Sequence, residues 1–237
     1  MSAPILILKC GTTLPALKAV CGDYDAWFAR GLTRPTMTCE VWSGARPPSV
    51  RDVAGIVVSG SPLSAAHPEP WMDDAAAYLR GAADAGVPIL GVCFGHQLVG
   101  FAWGARVVRN PMGWELGTCD VRTTDAGRVD PLFRGIPATF GAHMSHRDIV
   151  VGTPDGMAVL AENGHTSIQA IGVGAHVRGV QFHPEADATM ARLYISGRAA
   201  GLRGDGLDPD ALEATVRQVA EPALILRNFE RHFVEAG

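Results

Sequence analysis

Apolar residues fall into two alternating rhythms over the first half of the chain. Short continuous runs, "PILILK" at 4–9, "GIVVSGS" at 55–61 and "PILGV" at 88–92, are bounded by Gly, Pro and Ser and read as buried strands. "TCEVW" at 38–42 reads as a further strand. Between these runs the spacing becomes helical. "ALKAVCGDYDAWFARGL" at 16–32 is predicted as one helix. "PEPWMDDAAAYLRGAADAG" at 68–86 is a second, opening on prolines and acids and stopping at Gly86, and "GHQLVGFAWG" at 95–104 is a third. Strands alternating with helices predict an α/β fold: an open, mostly parallel sheet with helices on both faces.

From about Glu115 the rhythm changes. "ELGTCDVRTT", "HRDIVVG", "MAVLAE", "TSIQAIGV" and "HVRGVQF" are strand-like pieces separated by turn residues. They predict a small antiparallel extension, with the last strand rejoining the main sheet. The tail from about 187 is helical again, in "DATMARLYISGRAAG", "DPDALEATVRQVA" and "PALILRNFERHFVEA". With no repeat and no low-complexity linker, residues 1–237 read as a single domain.

Composition narrows the partners. The chain has 237 residues, 47% hydrophobic and 19% charged, so it has ample material for a core. Its net charge of -4 and the lack of any basic block argue against nucleic acid as a partner, because phosphate binding needs clustered Lys and Arg. No apolar run is long enough to span a membrane, and the amino terminus does not read as a signal peptide. Five cysteines, odd in number and without a Cys-x-x-Cys, point away from disulfides and structural zinc and toward the reducing cytoplasm.

One cysteine stands apart. Cys93 lies in "GVCFGHQ" at 91–97, where a strand runs straight into a helix. Beyond the carboxyl ends of parallel strands lies the crevice in which ligands collect. Gly91 and Gly95 flank the bend, so Gly-x-Cys-x-Gly is the thiol counterpart of the Gly-x-Ser-x-Gly nucleophile elbow. The N–H of Phe94 is then aimed at an oxyanion, and the start of the following helix favours thiolate. A nucleophile needs a base, and "GVQFHPE" at 179–185 offers one. His183 sits at the end of an apolar strand, before Pro184, which holds it extended. Two residues on, Glu185 points the same way and can orient the imidazole. A Cys93–His183–Glu185 triad follows.

These motifs resemble those of the triad-type class I glutamine amidotransferases. "VVSGSPLSA" at 57–65 resembles that family's oxyanion strand, and "HMSHRD" at 143–148 resembles the Met-Ser-His segment of its GMP synthetase branch. The resemblance covers roughly residues 1–190 and implies a flavodoxin-like fold. It implies attack by Cys93 on the γ-amide of glutamine or of another γ-glutamyl amide, through a thioester. His183 would carry the proton and Glu185 would orient it. The oxyanion would rest between the N–H of Phe94 and that of Ser61 or Gly60. Gln97 would hold the substrate near the thioester, and the backbone of Met144, Ser145 and His146 would hold its amino-acid end. No cofactor or metal is implied. Ser61 departs from the family's usual second glycine, which leaves the second oxyanion donor open. No Gly-x-x-x-x-Gly-Lys-Ser/Thr loop occurs, so an ammonia acceptor is expected only on a separate synthetase subunit. The alternative reading is a non-catalytic scaffold or regulatory subunit that keeps the fold.

Other candidates read as structural. His143 and His146 would face opposite sides of a strand, which argues against chelation. His96 reads as a packing residue. Trp114 and Glu115, in "NPMGWELG", lie on a turn leading to a strand and read as a surface hairpin in preference to a border of the pocket, and Cys10, Cys21, Cys39 and Cys119 as ordinary structural thiols.

Overall fold

Alternation along β1 (Ile5–Lys9) divides the core. Ile5 and Ile7 face one layer and Leu6 and Leu8 the other, and all four are fully buried. In the computed structural model, which describes residues 3–236, the chain continues through α1 (Pro15–Cys21), α2 (Tyr24–Gly31), β2 (Thr36–Glu40), β3 (Gly55–Val58), α3 (Pro70–Asp84), β4 (Ile89–Val92) and α4 (Phe94–Ala102). It then runs through β5 (Arg106–Arg109), β6 (Glu115–Thr123), α5 (Asp125–Val129), β7 (Thr139–His146), β8 (Asp148–Val151), β9 (Met157–Glu162), β10 (Ala170–Val173) and β11 (Val177–Val180). The tail carries α6 (Ala188–Gly197), α7 (Ala199–Gly204), α8 (Pro209–Ala214) and α9 (Ala223–Phe229).

Among the described residues the main sheet has nine strands, ordered β2-β1-β3-β4-β11-β10-β9-β6-β7. Its β2-to-β11 part is parallel. From β11 outward every pair is antiparallel. The expected extension is therefore present, and β11 rejoins the parallel part beside β4. A separate two-stranded sheet pairs β5 with β8.

Both faces are covered. Leu17, Trp27, Phe28 and Phe229, from α1, α2 and α9, pack on the Ile5/Ile7 side. Met72, Leu79, Phe94 and Leu98, from α3 and α4, pack on the Leu6/Leu8 side. Burying side chains of this size stabilises by about 1.5–3 kcal/mol each, which is why the apolar runs dominate the fold. The carboxylate of Glu230, buried just past α9, accepts from the N–H groups of Thr33 (2.9 Å) and Arg34 (2.6 Å) and ties the tail to the loop before β2. No helix among the described residues is long and apolar enough to cross a membrane.

Three local expectations are corrected. The helix predicted over 16–32 is two, because Gly22 takes φ 82° and Asp23 caps a fresh start by accepting from Tyr24 N–H at 2.9 Å. The Asp23 carboxylate also lies 3.0 Å from both Lys9 and Lys18, and that local satisfaction competes with a continuous helix. The helix over 187–201 breaks at Arg198, and the one over 208–220 ends early, at Ala214. Strand β5 adds to the expected elements, since "RVVR" is short and its pairing with β8 is set by the fold.

Candidate active site

Cys93 follows β4 and opens α4 with φ 54° and ψ -105°. It is the one non-glycine residue among those described with φ in the left-handed region. Such a conformation costs about 1–3 kcal/mol and persists only where its surroundings enforce it. Here they do so on both sides. A Cβ on Gly91 would lie 2.3 Å from the carbonyl oxygen of Gly95, and one on Gly95 would lie 2.2 Å from that of Val58. Only glycine permits the bend and the close passage of α4 over β3. The Cys93 N–H donates to Val180 O at 2.9 Å, which fastens the elbow to β11.

That bond also places the imidazole. β11 pairs with β4 in parallel, Val180 beside Val92, so the chain beyond both strands emerges at one end of the sheet. His183 follows three residues after Val180, and its N–H donates to His143 O at 3.0 Å. The antiparallel part of the sheet thus curls back until β7 meets the segment after β11, with Phe140 and Phe182 in edge contact at 5.5 Å. Nδ1 of His183 lies 2.7 Å from Oε1 of Glu185, whose side chain is fully buried. Nε2, the other ring nitrogen, is buried and makes no hydrogen bond of ordinary geometry. Burial disfavours the imidazolium, but the charges of Glu185 and Cys93 outweigh burial and hold His183 well above the ordinary imidazole range. Burial, with Glu115 nearby, pushes the Cys119 thiol up to about 12.

The remaining expected residues gather around this pair. Gly60 lies against it, since a Cβ there would sit 3.0 Å from the Tyr24 ring and 3.5 Å from Cε1 of His183. Ser61, Phe94, Gln97, Ser145 and His146 line a cleft of about 200 Å³ that includes Cys93. Phe94 stacks its ring on Trp71 at 5.9 Å, while its N–H belongs to the first turn of α4, where no intrahelical acceptor exists. Gln97 donates Nε2 to Asp148 O at 2.8 Å and to Gln181 Oε1 at 3.2 Å, which holds its side chain across the cleft floor. Met144 turns its side chain into the core rather than into the cleft, so only its backbone is available there. Ser145 Oγ is buried without a hydrogen-bond partner.

His143 and His146 diverge. His143 Nδ1 lies 3.1 Å from Thr118 Oγ1, and burial, aided by His183, lowers its pKa to about 4. His146 instead approaches Glu115, as β6 and β7 pair these two residues face to face. His96 is fully buried against Gly179, and burial lowers its pKa to about 3.

Glu115 corrects the surface-hairpin expectation. It is 3% exposed and forms a hub behind the cleft. Its carboxylate accepts from Asn163 (2.5 Å), Thr166 (3.0 Å) and Gln169 (2.8 Å), and lies 3.0 Å from His146 Nε2. Trp114 beside it lines the cleft rim. An acid at a strand start gives little hint of this, because its four partners come from two distant segments, 163–169 and β7.

The Glutamine amidotransferase class-I family model matches residues 24–196. The chain belongs to this family. The matched stretch of this class I amidotransferase includes Cys93, His183 and Glu185 and stops short of Arg198. The chain is 32% identical over 207 residues to a glutamine-hydrolyzing GMP synthase of Symbiobacterium thermophilum, covering 84% of this chain and 39% of that one. A GMP synthase of Aeropyrum pernix is 33% identical over 179 residues, covering 71% of this chain and 33% of its own. The amidotransferase chain thus spans little more than a third of the curated relatives it matches. Its fold matches the crystal structure of a glutamine amidotransferase from Thermotoga maritima with a TM-score of 0.78 at 19% identity, over 99% of this chain and 100% of that one. A glutamine amidotransferase from Methylobacillus flagellatus matches with a TM-score of 0.76 at 21% identity, over 98% and 96%.

Proposed function

We propose that the protein hydrolyses the γ-amide of glutamine, or of a related γ-glutamyl amide, through a thioester on Cys93. The observation that carries this reading is the convergence of a strained thiol with an ion-paired, buried imidazole in one cleft. His183 takes the Cys93 proton, and the thiolate attacks the amide carbon. The resulting oxyanion rests on the N–H of Phe94 and that of Ser61 or Gly60. His183, as imidazolium steadied by Glu185, gives its proton to the nitrogen, and the C–N bond breaks. Water, deprotonated by His183, then opens the thioester and releases glutamate.

Gln97 holds the acyl group near the sulfur. The backbone of Met144, Ser145 and His146, with the unpartnered Ser145 hydroxyl, holds the amino-acid end. Residues 1–237 work as one domain in this reading. Where glutamine is the substrate, ammonia passes to a separate synthetase partner, a role supported by the likeness to GMP synthases.

Glutamate release from glutamine and γ-glutamyl methylamide tests the reading. Cys93→Ala is expected to lower it by about 10⁴-fold or more. Labelling of Cys93 by a diazo-oxo glutamine analogue is expected in the wild type and not in His183→Ala. A wild type that neither turns over nor labels is a scaffold, and the reading is wrong.

A further inference from the structure

The rim of the Cys93 cleft carries three arginines against one aspartate, and two of the three are already engaged. Arg109 pairs with Asp148 at 3.1 Å, and Arg147 pairs with Asp205 at 3.0 Å. Arg198, at the break between α6 and α7, differs. Among the described residues its guanidinium makes no ion pair and no hydrogen bond, and its Nε is buried without a partner. It is nonetheless held in place: it stacks over Tyr194 at 4.6 Å and over Trp114 at 5.5 Å. The two rings position the cation but supply no acceptor, so its N–H groups stay unpaired. A fixed, unpaired guanidinium edge on a cleft wall matches a carboxylate, which it can grip with two parallel N–H bonds.

Resting on the hydrolytic reading above, we propose that Arg198 reads a carboxylate on the leaving amine, so that the substrate class is γ-glutamyl amino acids and short γ-glutamyl peptides. Ammonia released from glutamine carries no anion and gives such a residue nothing to hold. The substrate's own α-carboxylate belongs to the Met144–His146 side of the cleft in that reading. Arg198 also lies beyond the stretch that matches the family model, on helices that pack against β6 through Leu116, Ala188 and Ile195. The C-terminal helices therefore add a specificity wall to a cleft whose reacting groups come from the sheet.

The test is a ratio. Glutamate release is measured with γ-glutamylglycine and with γ-glutamyl methylamide, which differ by the carboxylate, and kcat/KM for the first is divided by that for the second. The wild type is expected to favour γ-glutamylglycine by about 10- to 100-fold, as charge-assisted hydrogen bonds contribute. Arg198→Met keeps the stacked stem, loses the N–H edge and is expected to bring the ratio within about twofold of one. A purely structural role would lower both rates together and leave the ratio where it was. A wild-type ratio near one, or a ratio that survives Arg198→Met, overturns the proposal. Release from glutamine but from neither of these compounds overturns the proposal and leaves the hydrolytic reading standing; release from none of the three makes that reading fall. Calorimetric Kd values for the same pair on Cys93→Ala, with and without Arg198→Met, then apply the same criterion to the subsite alone.

Discussion

Glu115→Gln probes the buried hub behind the cleft. In the folded protein burial opposes the Glu115 carboxylate, but the contact with His146, the bond from Asn163 and the nearby His165 more than offset it and lower its pKa to about 2, against an ordinary 4.5. A group held that far down contributes stability that is complete above the unfolded value and is lost as pH falls from 4.5 through 2. At about 1.4 kcal/mol per pKa unit, the contribution at neutral pH is about 3 kcal/mol. Glutamine keeps the shape but turns one acceptor into a donor facing the amides of Asn163 or Gln169, at a cost of the same order. Urea unfolding at pH 7 is therefore expected to show a loss of about 3 kcal/mol, a midpoint shift of roughly 1 M for a chain with a slope near 3 kcal/mol/M. Repeated at steps down to pH 3, the gap between wild type and variant should hold to about pH 5 and narrow below it, because the wild type alone surrenders this contribution. Equal stability at pH 7, or a gap that stays constant from pH 6 to pH 3, would refute the assignment of Glu115 as an ionised hub.

Glu185→Gln removes the larger of the two charges that raise His183, so its titration, followed by imidazole NMR, should move to lower pH, with activity at pH 7 falling by about 10²-fold; an unmoved titration would contradict the pairing. Gly95→Ala places a Cβ 2.2 Å from the Val58 carbonyl oxygen, a backbone atom that cannot step aside, and should cost upwards of about 3 kcal/mol in thermal or urea unfolding. A wild-type melting temperature for that variant would show that α4 does not need so close an approach to β3.

Sequence and tertiary structure divide the explanation unevenly. The apolar runs at 5–9, 55–58 and 89–92, the glycine-flanked thiol and His-Pro-Glu are local patterns, and local chemistry alone determines them: burial on both strand faces, the lack of a Cβ at the bend, and the extended geometry before Pro184. The parallel sheet, its antiparallel extension and the candidate nucleophile, base and orienting acid were therefore legible before any coordinates. The break at Gly22 was weakly legible, because the Asp23 cap on Tyr24 N–H is reinforced by Lys9 and Thr13, which come from the preceding strand and loop. Glu115 and Arg198 were not legible. A lone acid at a strand start and a lone arginine in a helical tail look like surface residues, and only the curl of β6 and β7 back toward β11 and the packing of α6 on β6 bring them to the cleft. Burial then decides their character, since an ionised side chain withdrawn from water must find partners, and those partners come from segments that only the completed fold sets side by side.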